Sequence, residues 1–474
     1  MVAAGRHEKG RGLAEADGDG LPAPRRLYAI VSISLGTILT TVSGSMINVA
    51  LPTLARDLHV TAASSVLVVT VYQLVLMMTL LPASALGDRF GLRAVYQWGQ
   101  AIFVAATLLS FFANSLPFLV LVRGVQALGA AGALAVSSAL IREIYPASQL
   151  GRGLALNTVM AASFASLAPT LGGAVLAFAS WQWLFAVLVP FGVFSVLAGR
   201  KALPEPVIHD TPFDVLGAVL CAATFGSVIV GLESALHGDS PVISWALVVL
   251  GLALGVVFVR REGVQARPML PVDLLRHKHI ALPVIGLFAA YLSSMIVMVN
   301  LPFRLQQGFH FSPAAAGAAL APWPLVSMFV APTAGMLSDR YPAALMGALG
   351  MVIGTVGLMA LAWLSAAPTQ MDLAWRIVLC GLGFGLFFSP NARLVVASAP
   401  RARVAAAGAL TTTTRGVSQT LGATVVAALL AAGISNGPAA AIIAAGLAAF
   451  AGLCSLLALR PNGGRDDIGD VPDV

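Results

Sequence analysis

Fourteen apolar runs, each long enough to cross a lipid bilayer as a helix, occupy most of this 474-residue chain. They span 27–51, 63–83, 95–113, 117–140, 152–179, 182–200, 213–234, 242–259, 279–303, 313–337, 343–364, 372–397, 403–432 and 438–459. A helix rises ~1.5 Å per residue, so about 20 apolar residues cross the hydrocarbon layer. No stretch between the runs is long enough for a soluble domain. Only 10% of the residues are charged, against roughly 25% in soluble domains. The chain cannot cover itself with polar surface, which excludes a soluble enzyme, a nucleic-acid binder and a disordered protein. An all-α integral membrane protein is expected, with the lipid bilayer as its surroundings.

The net charge is +7, and the position of its basic residues gives that charge a meaning other than nucleic-acid binding. Lys and Arg are retained in cytoplasmic loops. With the N-terminus inside, 22 of the 27 basic residues fall on the cytoplasmic side, and only Arg56, Arg304 and Arg376 lie near the outer face. Arg123 and Arg415 remain within runs. Both termini are therefore expected in the cytoplasm of a multi-pass protein, and the composition fits a bacterial inner membrane. Cys221, Cys380 and Cys454 each lie in an apolar run, which argues against disulfides or a metal site. The polar, glycine-rich first 26 residues lack the apolar core of a cleavable signal. They are read as a disordered cytoplasmic tail, and 461–474 as a second cytoplasmic tail.

The chain also repeats. Ser84-Ala-Leu-Gly-Asp88-Arg89 after the second run is echoed by Gly335-Met-Leu-Ser-Asp339-Arg340 after the tenth, an offset of 251. Two six-helix bundles, 27–201 and 279–460, then flank a linker at 202–278 that holds two extra spans. Parallel repeats around a midplane cavity are a transporter architecture. Pro169 with Gly172 and Gly173 removes a helical hydrogen bond and permits close helix packing. The glycine pairs 350/354 and 381/385 are assigned to packing alone.

Several motifs carry a family resemblance. Leu86-Gly87-Asp88-Arg89-Phe90-Gly91-Leu92-Arg93 resembles the loop signature of the major facilitator superfamily, and Arg123-Gly-Val-Gln126-Ala-Leu-Gly129 is similar to its helix-4 motif, with alanine at 127. Ala168-Pro169-Thr-Leu-Gly172-Gly173 resembles the antiporter motif of helix 5, one glycine short. Trp181-Gln-Trp183-Leu-Phe185, Pro190-Phe-Gly192 and Asn48-Val-Ala-Leu-Pro52 resemble segments of its fourteen-helix drug:proton antiporters. The likeness covers residues 27–460. It implies a major facilitator fold and multidrug efflux by proton antiport, with no cofactor. It also implies that Asp88, Arg89, Arg93, Asp339 and Arg340 gate the inner face, while Pro169, Gly172 and Gly173 seal the outer route. Asp88 is read as capping a tight cytoplasmic turn, stabilised by the positive N-terminal end of a neighbouring helix and by Arg pairs; an ordinary topogenic turn is the alternative for the first set.

One departure stands out. Members of that group commonly carry an acid in helix 1 before the Asn-Val-Ala-Leu-Pro segment, where this chain has Ser43. All 20 acids fall at span ends or in loops, Glu233 and Asp214 being read as interfacial, and no histidine is mid-span. A proton carrier needs a group whose protonation the site can control. Asp57, at the end of the first run, is the acid to examine first.

The charges inside the membrane are basic. Arg415 lies about 12 residues, ~18 Å, into the thirteenth run, and Arg123 sits in the outer third of the fourth. A mid-membrane charge costs at least ~2.5–3.5 kcal/mol on insertion scales, so it faces a cavity or a partner. Binding and structural roles are both open for each. Arg123 could instead bond helix-1 carbonyls and Gln126, and Arg415 the hydroxyls of Thr411 to Thr414. Tyr72, Gln73, Ser163, Asn300, Trp323, Phe387, Asn391 and Gln419 complete the candidate cavity lining. Two arginines without a carboxylate favour anionic or neutral amphipathic substrates over cations, which need a counter-charge or an aromatic cage. The expectation is a monomeric secondary transporter of small molecules working by alternating access, with protons as candidate coupling ion. Uncoupled or differently coupled transport of an organic anion is the alternative. A polytopic membrane enzyme would need a cluster of His, Asp or Glu at one face, and ATP hydrolysis a phosphate-cradling loop; neither appears.

Overall fold

A computed structural model of the chain describes residues 20–146, 149–205, 214–236, 240–263, 265, 271–338, 340–400, 403–434 and 436–459. Asp339 and most of the two tails lie outside the described residues. The described residues form fourteen long helices: α1 (Ala23–Asp57), α2 (Ala62–Phe90), α3 (Leu92–Phe111), α4 (Leu116–Ile144), α5 (Leu150–Phe178), α6 (Trp183–Ala202), α7 (Val215–Leu236), α8 (Pro241–Glu262), α9 (Lys278–Phe303), α10 (Pro313–Leu337), α11 (Ala343–Ala362), α12 (Gln370–Ala397), α13 (Val404–Ala431) and α14 (Ala439–Ala458). Thirteen are long and apolar enough to cross a membrane. The remaining one, α13, has the length but carries a polar middle of Thr411–Thr414, Arg415, Ser418, Gln419 and Thr420.

Proline and glycine set the breaks. α6 opens with a four-residue turn and resumes at Val189, next to Pro190. α10 is interrupted between Leu320 and Pro322, because proline cannot donate a helical hydrogen bond. α2 runs on through Asp88 and Arg89 to Phe90, and the reversal into α3 occurs at Gly91, whose φ of +89° suits glycine. Asp88 thus belongs to the last helical turn and does not cap the loop, as the sequence had suggested. Thr61, Ser312 and Thr369 do cap: each side-chain oxygen accepts from a backbone N–H three residues on.

Packing repeats with an offset of eight helices. α1 packs on α5 and α6, α2 on α4, and α3 on α4 and α6; α9 packs on α13 and α14, α10 on α12, and α11 on α12 and α14. Even the tightest crossing recurs. A Cβ on Gly129 would stand 2.6 Å from the Gly99 carbonyl at α3–α4, and one on Gly383 would stand 2.3 Å from the Gly354 nitrogen at α11–α12. Small residues allow the close approach on which helix association in lipid depends. The halves join through α1–α9 and through two interfaces that the repeat relates to each other, α2–α13 and α5–α10.

α7 lies against both α2 and α13, and α8 packs chiefly on α7. Asp214, just ahead of α7, accepts from both terminal nitrogens of Arg261 on α8 at 2.6 and 2.8 Å and from the Gly217 N–H at 2.9 Å. These donors hold the Asp214 carboxyl below the usual carboxylate range.

The start of α1 and the end of α14 lie on one face, termed the terminal face. There Arg25, in α1, donates to the Ala202 and Leu203 carbonyls at the end of α6, each at 3.0 Å. On the opposite, far face the halves are closed together. A Cβ on Gly173 would lie 3.1 Å from the Gly317 Cα, and one on Gly317 2.5 Å from the Pro169 carbonyl. Gln306 Nε2 donates to the Val49 carbonyl at 2.8 Å alongside. Toward the terminal face, by contrast, Leu156 and Val159 of α5 and Phe329, Met336 and Leu337 of α10 are exposed. The halves are thus in close contact on the far face, while these apolar side chains of α5 and α10 are exposed toward the terminal one.

Candidate substrate site at the meeting of the two halves

Arg123 is fully buried in the first bundle. Its Nε donates to the Val68 carbonyl at 3.3 Å, and one terminal nitrogen donates to Ser43 Oγ at 3.1 Å and Gln126 Oε1 at 2.6 Å. The guanidinium also sits 4.1 Å from the Tyr72 ring centre, within cation–π range. Gln126 Nε2 donates to Ser43 Oγ at 3.2 Å and to Thr107 Oγ1 at 2.7 Å, and the Tyr72 hydroxyl donates to the Thr40 carbonyl at 3.2 Å. The helix-1 position that departs from the antiporter pattern is therefore the hub of this network. A hydroxyl stands where a carboxylate would face a buried arginine.

Arg415 differs. It is exposed halfway along α13, with no hydrogen bond or ion pair among the described residues, so it does not bond the neighbouring threonine hydroxyls. Those hydroxyls turn back to their own helix: Thr411 and Thr412 both donate to the Gly408 carbonyl. One helical turn from Arg415, Gln419 Oε1 accepts from Gln73 Nε2 at 3.3 Å across the α2–α13 interface. Tyr291 lies on α9, a helix that packs against α13. Tyr291 stacks on Phe388 of α12 at 4.3 Å between ring centres, with 14° between planes. Arg415, Gln73 and Gln419 thus lie on the helices of the α2–α13 interface, and the Tyr291–Phe388 stack lies on α9, which packs against α13, and α12.

Other sequence candidates take different places. Phe387 is fully buried, its ring against Gly286 and Gly347, and Trp323 is buried 4.9 Å from Phe384. Asn391 is buried and donates to the Pro283 carbonyl of α9 at 2.8 Å. Asn300 is buried near the far end of α9. Ser163 donates to its own helix at the Val159 carbonyl. Tyr291 and Phe388 were missed. Phe388 is the immediate neighbour of Phe387, but one residue turns a helix by about 100°.

Among the gating candidates, Gly172 and Gly173 form the far-face contacts: a Cβ on Gly172 would press Met46 of α1 at 2.8 Å, and one on Gly173 would press α10. Asp88 is exposed and makes no ion pair among the described residues. Arg89 lies over Phe90, and Arg93 donates to the Arg200 carbonyl at 2.6 Å. Arg340 occupies the turn after α10, its N–H donating to the Leu337 carbonyl. Asp57 leaves 43% of its side chain exposed beside Arg56, at 3.8 Å. Glu233, read as interfacial, lies in the last turn of α7, where it is buried and accepts from Thr424 Oγ1 of α13 at 3.0 Å. Its place near a helix end gave no sign of this, because α13 covers it.

A family model described as Major Facilitator Superfamily matches residues 33–423 and 283–469. The chain belongs to the Major Facilitator Superfamily. It is consequently a multi-pass membrane transporter of small molecules and not an enzyme. Over 444 residues it is 39% identical to the uncharacterized transporter YebQ of Escherichia coli, covering 93% of this chain and 97% of that one. It is 28% identical to the riboflavin transporter RibZ of Clostridioides difficile, covering 84% of this chain and 87% of that one. The multidrug efflux pump LfrA of Mycolicibacterium smegmatis is also 28% identical, covering 82% and 78% respectively. The same fold occurs in an inward-facing bacterial homolog of the lysosomal transporter Spinster, at a TM-score of 0.64 and 16% identity, with 92% of this chain and 98% of that one covered.

Proposed function

We propose that this transporter exports small amphipathic molecules, anionic or neutral, by alternating access and in exchange for protons. Its termini lie in the cytoplasm, its membrane is the bacterial inner membrane, and it works as a monomer. Arg415 is the observation that carries this reading: a cation exposed at mid-membrane, with no acid against it among the described residues. A charge kept there at such cost has a ligand or a cavity to serve. The Tyr291–Phe388 stack adds an aromatic face for a planar substrate, and the Gln73–Gln419 bridge adds polar handles at the seam that moves. That relatives include a riboflavin transporter and a multidrug efflux pump agrees with amphipathic cargo.

Uncoupled transport of an organic anion is the second reading, favoured by Ser43 in place of an acid beside Arg123. Liposomes loaded with a pH dye decide between them. Under the first reading, a panel of amphipathic anions, cations and neutral compounds shows substrate-dependent proton movement with anions or neutral compounds and little with matched cations. Substrate flux without proton movement selects the second. Uptake that favours a lipophilic cation over its matched anion overturns the substrate class in both.

A further inference from the structure

We infer that Glu233, on the additional helix α7, is the group that takes up and releases the coupling proton. The inference rests on the antiport reading above. Two acids are buried among the described residues, Glu233 and Glu262. Glu262 ends α8 beside Arg261, at 3.9 Å. Glu233 faces a different helix pair. It is 6% exposed and accepts from Thr424 Oγ1 of α13 at 3.0 Å, while the same α7 also lies along α2. It therefore sits on an element that touches both halves, at one of the interfaces through which they move.

Among the described residues, the charged groups on the helices packed against α7 lie away from this position. α2 has Asp88 and Arg89 and α8 has Arg260, Arg261 and Glu262, all in the last turns toward the terminal face. On α13 the charge is Arg415, nine residues or ~13 Å along the helix from Thr424. Tyr72 of α2 is held by Thr40 and Arg123 on the side of the first bundle. His237 and Asp239 follow Glu233 in sequence and lie outside the described residues. An ionisable side chain buried among membrane helices is costly to keep and marks a functional position.

Protonation would change the helix contact itself. As a carboxylate, Glu233 can only accept, and the Thr424 hydroxyl gives it a charge-assisted bond. As a carboxylic acid it gains an O–H of its own, and the bond to α13 becomes a neutral one of roughly half the strength. Loading and unloading one proton thus alternately tightens and loosens α7 on α13 and biases the α2–α13 interface beneath. The additional hairpin would then carry the coupling that Ser43 cannot provide on α1.

The test uses the full chain in proteoliposomes, with a transported anion from the panel and Glu233→Gln beside wild type. The expected result is substrate-driven proton movement reduced at least tenfold in Glu233→Gln, with substrate counterflow kept. Glu233→Asp should restore proton movement with a displaced pH profile. Undiminished proton movement in Glu233→Gln overturns the inference and leaves the antiport reading intact. A wild-type protein that carries substrate but no protons overturns both. Should Glu233→Gln fail to fold by size-exclusion chromatography, Thr424→Val decides: a pH midpoint of transport displaced by at least half a unit supports the inference, and an unchanged profile overturns it.

Discussion

Ser43 shows how much one side chain settles. Its hydroxyl receives donors from both Arg123 and Gln126 in a fully buried network. Ser43→Ala leaves two buried donors short of an acceptor, which costs about 1–3 kcal/mol; the expected outcome is a lower unfolding temperature of the purified protein. Arg415 makes no hydrogen bond or ion pair among the described residues and should behave oppositely. Arg415→Ala is expected to leave the unfolding free energy within about 0.5 kcal/mol of wild type, the usual range away from structural contacts. The same change should raise the half-saturating concentration of an anionic substrate at least tenfold in vesicle transport. Both arginines were visible in the sequence as charges inside apolar runs, yet their difference was not. Arg123 finds oxygens on α1, α2 and α4 that only packing brings together, whereas the threonines beside Arg415 spend their hydroxyls on their own backbone. Phe388 escaped for a related reason: linear order does not say which of two adjacent aromatics stacks on Tyr291.

At the scale of elements, the spans were legible because a bilayer demands length and apolarity that leave few alternatives. Their interruptions were less so, since proline near Leu188 and Leu320 is compatible with a kink or with the start of a new turn. The far-face crossing of α5 and α10 offers a sharp test. A methyl at Gly317 would fall 2.5 Å from the Pro169 carbonyl, and overpacking of this kind costs about 1–3 kcal/mol. Gly317→Ala should therefore move the closed far face toward opening by roughly 5- to 150-fold, seen as faster labelling of a far-face cysteine and slower substrate turnover. The α7–α8 hairpin makes a pH prediction. The Asp214 carboxyl is held down by Arg261, so its stabilising contribution is present above the ordinary carboxylate value and is lost only as the pH falls through the lowered one. Hydrogen exchange in the first turn of α7 should stay slow through mild acid. With Arg261→Gln the loss should begin at a higher pH.

Across the whole molecule, the two halves repeat each other closely, and the two seams α2–α13 and α5–α10 are counterparts. What breaks the equivalence is the hairpin, because α7 overlies one seam and, among the described helices, no counterpart overlies the other. The repeat in the sequence announced the symmetry, and the unmatched pair of spans announced that something would break it. Which seam α7 would cover lay in packing alone. A compound dissolved in the lipid therefore meets a lopsided protein. On one flank its sideways path is shuttered by α7. On the other, Leu156, Val159, Phe329 and Met336 are exposed toward the terminal face, below the close contact at Gly173 and Gly317. Among the described helices, any sideways approach to the seams is therefore less covered on the α5–α10 flank than on the α2–α13 flank.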